Sequence, residues 1–170
     1  MKFTPQSIPD VLLIEPTIHS DGRGYFTETF RQDLFEDAIG YKVNFIQDNE
    51  SKSTKGVLRG LHYQLLPYTQ AKLVRVIEGS VLDVAVDIRK SSPTFGQHVA
   101  VELTAQNKHQ LFAPHGFAHG FVVFSDSATF AYKVDNYYSP NHDRGIAFDD
   151  DQLKIDWQLS AEELQLSDKD

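Results

Sequence analysis

The sequence predicts an all-β fold, a sandwich or jelly-roll barrel with a few short helices at its periphery. Three observations carry this expectation. Apolar residues alternate instead of recurring at helical spacing, the alternating runs are short, and turn signals separate them at near-regular intervals.

In chain order, strand candidates run over Val11 to Glu15, Gly24 to Phe30 and Phe45 to Asp48. The stretch from Leu58 to Gln64 comes next; as a strand it puts Leu58, Gly60, His62 and Gln64 on one face. Leu73 to Glu78 follows and is closed by the turn signal Glu78-Gly79-Ser80. Leu82, Val84, Val86 and Ile88 fall on one side of a strand that stops before Ser91-Ser92-Pro93, and Val99, Val101 and Leu103 do so in another. Gln110 to Phe112, Gly120 to Phe124, Thr129 to Asp135 and Gly145 to Phe148 complete the set. Helical spacing occurs twice. Gln32 to Ile39 carries Leu34, Phe35 and Ala38 on one face with Gly40 as its stop, and in the tail Ser160 and Glu163 have capping-box spacing. Asp149-Asp150-Asp151 reads as a solvated turn.

At 170 residues the chain is expected to form one domain, residues 1–170. No apolar run approaches the ~20 residues of a membrane helix, and the first residues carry no secretory pattern, so a cytoplasmic, non-membrane protein is expected. With no cysteine there is no disulfide, thiolate zinc site or cysteine nucleophile. A formal net charge of -8 argues against a nucleic-acid partner; any bound phosphate falls to a few arginines and lysines.

Two segments concentrate polar chemistry among apolar residues. The first, Val57 to Lys72, holds Arg59, His62, Gln64 and Lys72; the second, Ala113 to Gly120, holds His115 and His119 among Pro114, Gly116 and Gly120. A lone histidine on a buried face is more often structural than catalytic, but here a lysine and an arginine lie close in sequence. A third segment, Ala128 to Pro140, supplies Tyr132, Tyr137 and Tyr138; such aromatics either pack or, turned into a barrel, act as a proton donor or stack on a base.

The spacing Pro114-x-Gly116-x-x-His119 resembles the second motif of the cupin superfamily, jelly-roll barrels that often hold a metal through histidines and a glutamate. Here Gln64 stands where the second histidine of the first motif belongs, and the ammonium of Lys72 opposes a bound cation. The expected site is therefore metal-free, with His62 as a base whose ordinary pKa lies near 6.5 and Lys72 as a positive donor to a carbonyl oxygen.

RGLHYQ at Arg59 to Gln64, QDN at Gln47 to Asn49, GFAHGF at Gly116 to Phe121 and NYYSP at Asn136 to Pro140 together resemble the dTDP-4-dehydrorhamnose 3,5-epimerases, from Ile8 onward. The resemblance implies a cupin-like jelly roll that epimerises carbons 3 and 5 of a dTDP-4-keto-6-deoxy sugar without a cofactor. By the same resemblance His62 accepts the proton, Tyr132 donates one, Lys72 holds the enolate oxygen and Asp170 pairs with His62. Arg23, Glu28, Gln47, Asp48, Asn49, Arg59, His119 and Lys169 are implied as substrate contacts, with Tyr138 stacking on thymine and Asp143 where the family often has glutamate. A homodimer exchanging N-terminal strands is also implied. Lys169 and Asp170 stand where a chain end frays most easily.

Three other readings compete. A metal-dependent cupin would use His62, His115 and His119 as ligands; a binding module would need only Arg23, Arg59 and the tyrosines; a close relative would epimerise one carbon or move the ketone.

Overall fold

The computed structural model describes all residues from Met1 to Asp170. Thirteen strands and one helix follow in order: β1 (Lys2–Pro5), β2 (Leu12–Glu15), β3 (Ile18–Asp21), β4 (Gly24–Thr27), α1 (Gln32–Ile39), β5 (Gln47–Thr54), β6 (Leu58–Gln64) and β7 (Lys72–Glu78). Then come β8 (Ser80–Asp87), β9 (His98–Thr104), β10 (Gln110–Ala113), β11 (Phe117–Val123), β12 (Ser127–Val134) and β13 (Asp143–Gly145).

All pairings between these strands are antiparallel, which lets apolar and polar residues alternate along each one. Six strands form one sheet in the order β1-β2-β10-β7-β12-β5, and five form a second in the order β13-β6-β11-β8-β9. The fold is a cupin-like jelly roll. Its interior is filled by side chains from both sheets, including Val74, Val76, Leu111 and Phe130 from the first and Val81, Ala85, Leu103 and Phe121 from the second.

Two further apolar clusters cover the outer faces. Leu58, Leu61, Leu82, Val84, Val86 and Trp157 form one behind the five-stranded sheet, under the C-terminal segment. Leu12, Ile14, Phe35, Leu73 and Phe112 form the other, where α1 covers the six-stranded sheet. The alternation of Leu82, Val84 and Val86 thus marks the outer face of β8; the barrel side of that strand carries Val81, Asp83 and Ala85.

Several elements differ from expectation. Only one α-helix forms. The Ser160–Glu163 capping pair exists, with the Ser160 amide donating to Glu163 Oε2 at 3.0 Å, but a single turn follows, because the Gln165 amide donates to the Gly56 carbonyl instead of continuing a helix. Within α1 the buried contact is Phe35, with Ile39 one turn on, while Leu34 and Ala38 face solvent. Strand β5 is longer than Phe45 to Asp48, β4 is shorter than Gly24 to Phe30, and β1 and β3 carry too few buried apolar residues to be seen by alternation. Asp149 and Asp151 are exposed in turns, as expected, whereas Asp150 between them is half-buried and its carboxylate accepts the Gln152 and Leu153 amides. No helix is long and apolar enough to cross a membrane.

Candidate active site

The site is built where the two sheets leave polar side chains facing each other at one end of the barrel. From the six-stranded sheet, inward positions of β5 present Gln47, Asn49 and Ser51, while β7 presents Lys72 and β12 presents Tyr132. Strands β12 and β7 pair with Tyr132 opposite Val74 and Val134 opposite Lys72, so the phenol and the ammonium come from neighbouring strands of one wall. The five-stranded sheet supplies the other wall, with Arg59 and His62 from β6 and His119 from β11.

A register shift in β6 creates this arrangement. His119 faces His62 and Phe121 faces Arg59, so two steps along β11 match three along β6. The expectation that Leu58 and His62 share a face is therefore corrected: Leu58 and Leu61 both turn outward, and Arg59 and His62 both turn into the barrel. Gly60 makes the shift possible. Its φ is 132°, and a Cβ there would collide with the Gly120 backbone.

Two adjoining cavities, of about 400 and 230 Å³, share His62, Lys72, Tyr132 and Lys169 in their walls. A larger hollow of about 540 Å³ lies elsewhere, lined by Tyr41, Arg89, His115 and Asp135, but its arginine is paired with Asp10 and Asp87 and its histidine with Asp135. Size alone does not locate chemistry.

His62 Nε2 lies 3.1 Å from Asp170 Oδ1. The approach lies outside hydrogen-bond geometry, which leaves Nε2 without a directed partner, and it becomes an ion pair only when the imidazole is protonated. Asp170 itself is anchored: the Gly60 amide donates to Oδ1 at 3.0 Å, and the Ser167 hydroxyl donates to Oδ2 at 2.6 Å. Asp170 is thus tied to β6 through Gly60 and to its own segment through Ser167. Although burial raises the Asp170 pKa, the Ser167 and Gly60 donors and the nearby imidazole bring it below the usual carboxylate range. Burial holds the His62 pKa below its ordinary value, with Lys72 acting in the same direction and Asp170 and Asp143 opposing. A neutral imidazole near pH 7 follows.

Burial also pushes the Lys72 ammonium down to about 8, against the attraction of Asp143 and Asp83. The Tyr132 phenol is raised by burial, so it keeps its proton. A neutral base, a cation of low proton affinity and a protonated phenol therefore face one space. That set can remove a proton beside a carbonyl, hold the enolate charge and return a proton.

The remaining expected residues divide. Tyr138, Asp143 and Lys169 meet at the rim, with the Tyr138 hydroxyl donating to Asp143 Oδ2 at 3.1 Å and Lys169 Nζ 3.8 Å from the same oxygen. Arg59 donates to Ser53 Oγ at 3.1 Å, and Gln47 donates to Asn49 Oδ1 at 2.7 Å. Asp48 faces the opposite way, as alternation requires, and pairs with Lys133 at 2.8 Å on the outer surface. Arg23 and Glu28 lie on or beside the separate β3–β4 hairpin, paired with Asp21 and Arg31, outside both cavities.

Two features were missed by sequence reasoning. Asp83 is fully buried, 2.8 Å from His119 Nε2 through Oδ1, and its Oδ2 has no partner. The available signal was an acid in the midst of the apolar run of β8. The other is the structural role of Gln64, whose three hydrogen bonds all go to loop backbone. No three His, Asp or Glu side chains converge as metal ligands, and His115 is committed to Asp135 at 2.6 Å, away from His62.

Comparison with known proteins shows what the chain as a whole is similar to. The family model for dTDP-4-dehydrorhamnose 3,5-epimerase matches residues 5–170. A dTDP-4-dehydrorhamnose 3,5-epimerase of Shigella flexneri is 58% identical over 170 residues, which cover 100% of this chain and 93% of the relative. The crystal structure of the enzyme of that name from Elizabethkingia anophelis superposes with a TM-score of 0.96 at 48% identity, covering 99% of this chain and 92% of that one. The dTDP-6-deoxy-D-glucose-3,5-epimerase from Legionella pneumophila, in complex with dTDP-4-keto-L-rhamnose, superposes with a TM-score of 0.95 at 51% identity, covering 99% and 88%.

Proposed function

This chain belongs to the dTDP-4-dehydrorhamnose 3,5-epimerase family, and on that premise we propose how its site inverts carbons 3 and 5 of dTDP-4-dehydro-6-deoxy-D-glucose to give dTDP-4-dehydro-L-rhamnose. The enzyme is an isomerase of dTDP-L-rhamnose biosynthesis. One observation carries the mechanistic reading: His62 with its Asp170 partner stands on one sheet, and Lys72 and Tyr132 stand on the other, across one cavity.

The ketone at carbon 4 acidifies the hydrogens on carbons 3 and 5. Neutral His62 takes one of these protons, and the carbon–hydrogen electron pair moves into the enolate, whose oxygen charge Lys72 offsets. Asp170 favours the imidazolium that forms. Tyr132 then returns a proton to the same carbon from the opposite wall, which inverts it. The proton count closes when the imidazolium releases its proton to solvent and the phenolate regains one. The same sequence at the second carbon completes the reaction. No redox partner enters, because each step only moves a proton.

Arg59, His119, Lys169, Gln47 and Asn49 line the cavities as candidate substrate contacts, and Tyr138 is read as the residue that stacks on thymine. Arg23 and Glu28 fit that role only through a second copy. The β3–β4 hairpin projects with Tyr25 and Phe26 58% and 66% exposed, which supports a homodimer in which the hairpin of one copy covers the cavity of the other. For Asp48, outward-facing and paired with Lys133, a contact to its own cavity has no support. One domain over residues 1–170 and a cytoplasmic location belong to the same reading; limited proteolysis and cell fractionation test them.

The deciding experiment incubates the enzyme with dTDP-4-keto-6-deoxyglucose in deuterium oxide and follows carbons 3 and 5 by NMR. Deuterium enters both positions, and His62→Ala slows exchange by about 10²–10⁴. Exchange at one carbon only would identify a one-carbon epimerase, and exchange at neither would refute the reading.

A further inference from the structure

Gln64 ends β6 and is 5% exposed. Its Nε2 donates to the Tyr68 carbonyl at 2.6 Å and the Tyr137 carbonyl at 3.1 Å, and its Oε1 accepts from the Ser139 amide at 2.6 Å. The contacts to residues 137 and 139 bracket Tyr138, fixing the carbonyl before it and the amide after it. At the far end of the same side chain, the Tyr138 hydroxyl donates to Asp143, and Asp143 is the residue paired with Gln64 between β13 and β6. Tyr138 is thus held at backbone and ring tip by two neighbours on adjacent strands, while its ring stays half exposed at the cavity mouth.

We propose that Gln64 is a positioning residue for the nucleotide end of the substrate, setting the Tyr138 ring before the ligand arrives. The proposal rests on the reading of Tyr138 as the base-stacking residue. The chemistry of the clamp selects an amide. Two carbonyls require two donors and one backbone N–H requires an acceptor, all on one short planar head, and a primary amide carries that set. A carboxylate has no donor and would set its charge against two carbonyl oxygens; a neutral imidazole has one donor. Gln64 therefore does more than leave a metal site incomplete: its side chain is fully used in ordering the loop. An aromatic surface ordered in the free enzyme spares the complex the entropy of ordering it on binding.

Gln64→Met, close in shape but without donors, and Gln64→Glu test this with steady-state kinetics on dTDP-4-keto-6-deoxyglucose. KM rises roughly tenfold in both while kcat stays within about threefold, and the pH profile of kcat does not move, since His62, Lys72 and Tyr132 are untouched. A folded Gln64→Met variant with unchanged KM overturns the proposal, as does a fall in kcat at constant KM. Tyr138→Ala separates the two levels: if it leaves KM unchanged, the stacking reading itself fails. If it raises KM while Gln64→Met does not, only the role of Gln64 fails. Should the variants not fold, amide hydrogen exchange on the unaltered free enzyme decides. Ser139 exchanges slowly if Gln64 holds it, and exchange at the rate of an unstructured loop refutes the clamp.

Discussion

Asp170 Oδ1 sits 3.1 Å from His62 Nε2 while also accepting the Gly60 amide at 3.0 Å, so one carboxylate oxygen ties the base to the register shift that turns it inward. Removing the charge but not the shape, in Asp170→Asn, takes away a neighbour that favours the imidazolium. The His62 pKa, already lowered mainly by burial, falls further. The acid limb of the kcat/KM profile should move to lower pH and the plateau should drop by about 10-fold or more, compared with about 10²–10⁴ for His62→Ala. An acid limb that stays in place would separate Asp170 from the base.

The alkaline limb is assigned to Lys72. His62 works once it is neutral, above its lowered pKa, and Lys72 works while protonated, below about 8. Activity should therefore peak between these limits and fall above about pH 8. Lys72→Met removes the cation that offsets the enolate and should reduce kcat by about 10²–10³. Its residual activity should lack the alkaline limb, which a full pH–rate profile checks.

Gly60→Ala tests the register shift. A side chain is strained at a φ of 132°, and its Cβ would meet the Gly120 backbone. The expected cost is more than about 2 kcal/mol, measured by denaturant unfolding, because strain and collision add. Any folded fraction should be nearly inactive, since β6 must shift to relieve the clash. Full activity at wild-type stability would show that the shift does not depend on glycine.

How much of this was legible depended on whether a feature is local. Strands β8 and β9 were visible because apolar side chains alternate there, and β3 was not, because all four of its residues are exposed. The Gln32–Ile39 helix was visible through its spacing and its Gly40 stop, which adopts the left-handed φ of 79°. The facing of His62 was not legible. A one-residue offset reverses every side chain beyond it, and the pairing that sets the offset involves β11, far along the chain. The Asp170 contact spans most of the sequence and could be anticipated only through resemblance. Asp83 left a local signal, an acid among buried valines, that periodicity treats as the polar side of a strand.

His115 and Asp135 give a stability prediction of definite sign. Their 2.6 Å hydrogen bond raises the His115 pKa despite opposing burial. A raised folded-state pKa stabilises fully below the unfolded value of about 6.5, and the contribution disappears as pH rises through the folded value. Because the His115 side chain is 52% exposed, screening limits the effect to below about 1 kcal/mol. His115→Gln should therefore lose several tenths of a kcal/mol more stability at pH 5.5 than at pH 9, by roughly the pair's protonation-dependent share. A larger loss at the alkaline end would reverse the assignment.

Asp143 and Asp83 both act on Lys72, and each keeps its proton affinity higher than burial alone would allow. Asp143 belongs to the rim with Tyr138 and Lys169, whereas Asp83 is fully buried beside His119. Neutralising either one should lower the Lys72 pKa and move the alkaline limb toward neutral pH. The two variants should differ in binding: Asp143→Asn weakens the rim and raises KM, while Asp83→Asn leaves the rim intact and acts through the limb and the support of His119. Paired pH–rate profiles resolve this. If Asp83→Asn leaves the alkaline limb unmoved while Asp143→Asn shifts it, the field at Lys72 comes from the rim alone, and the buried acid serves His119 only.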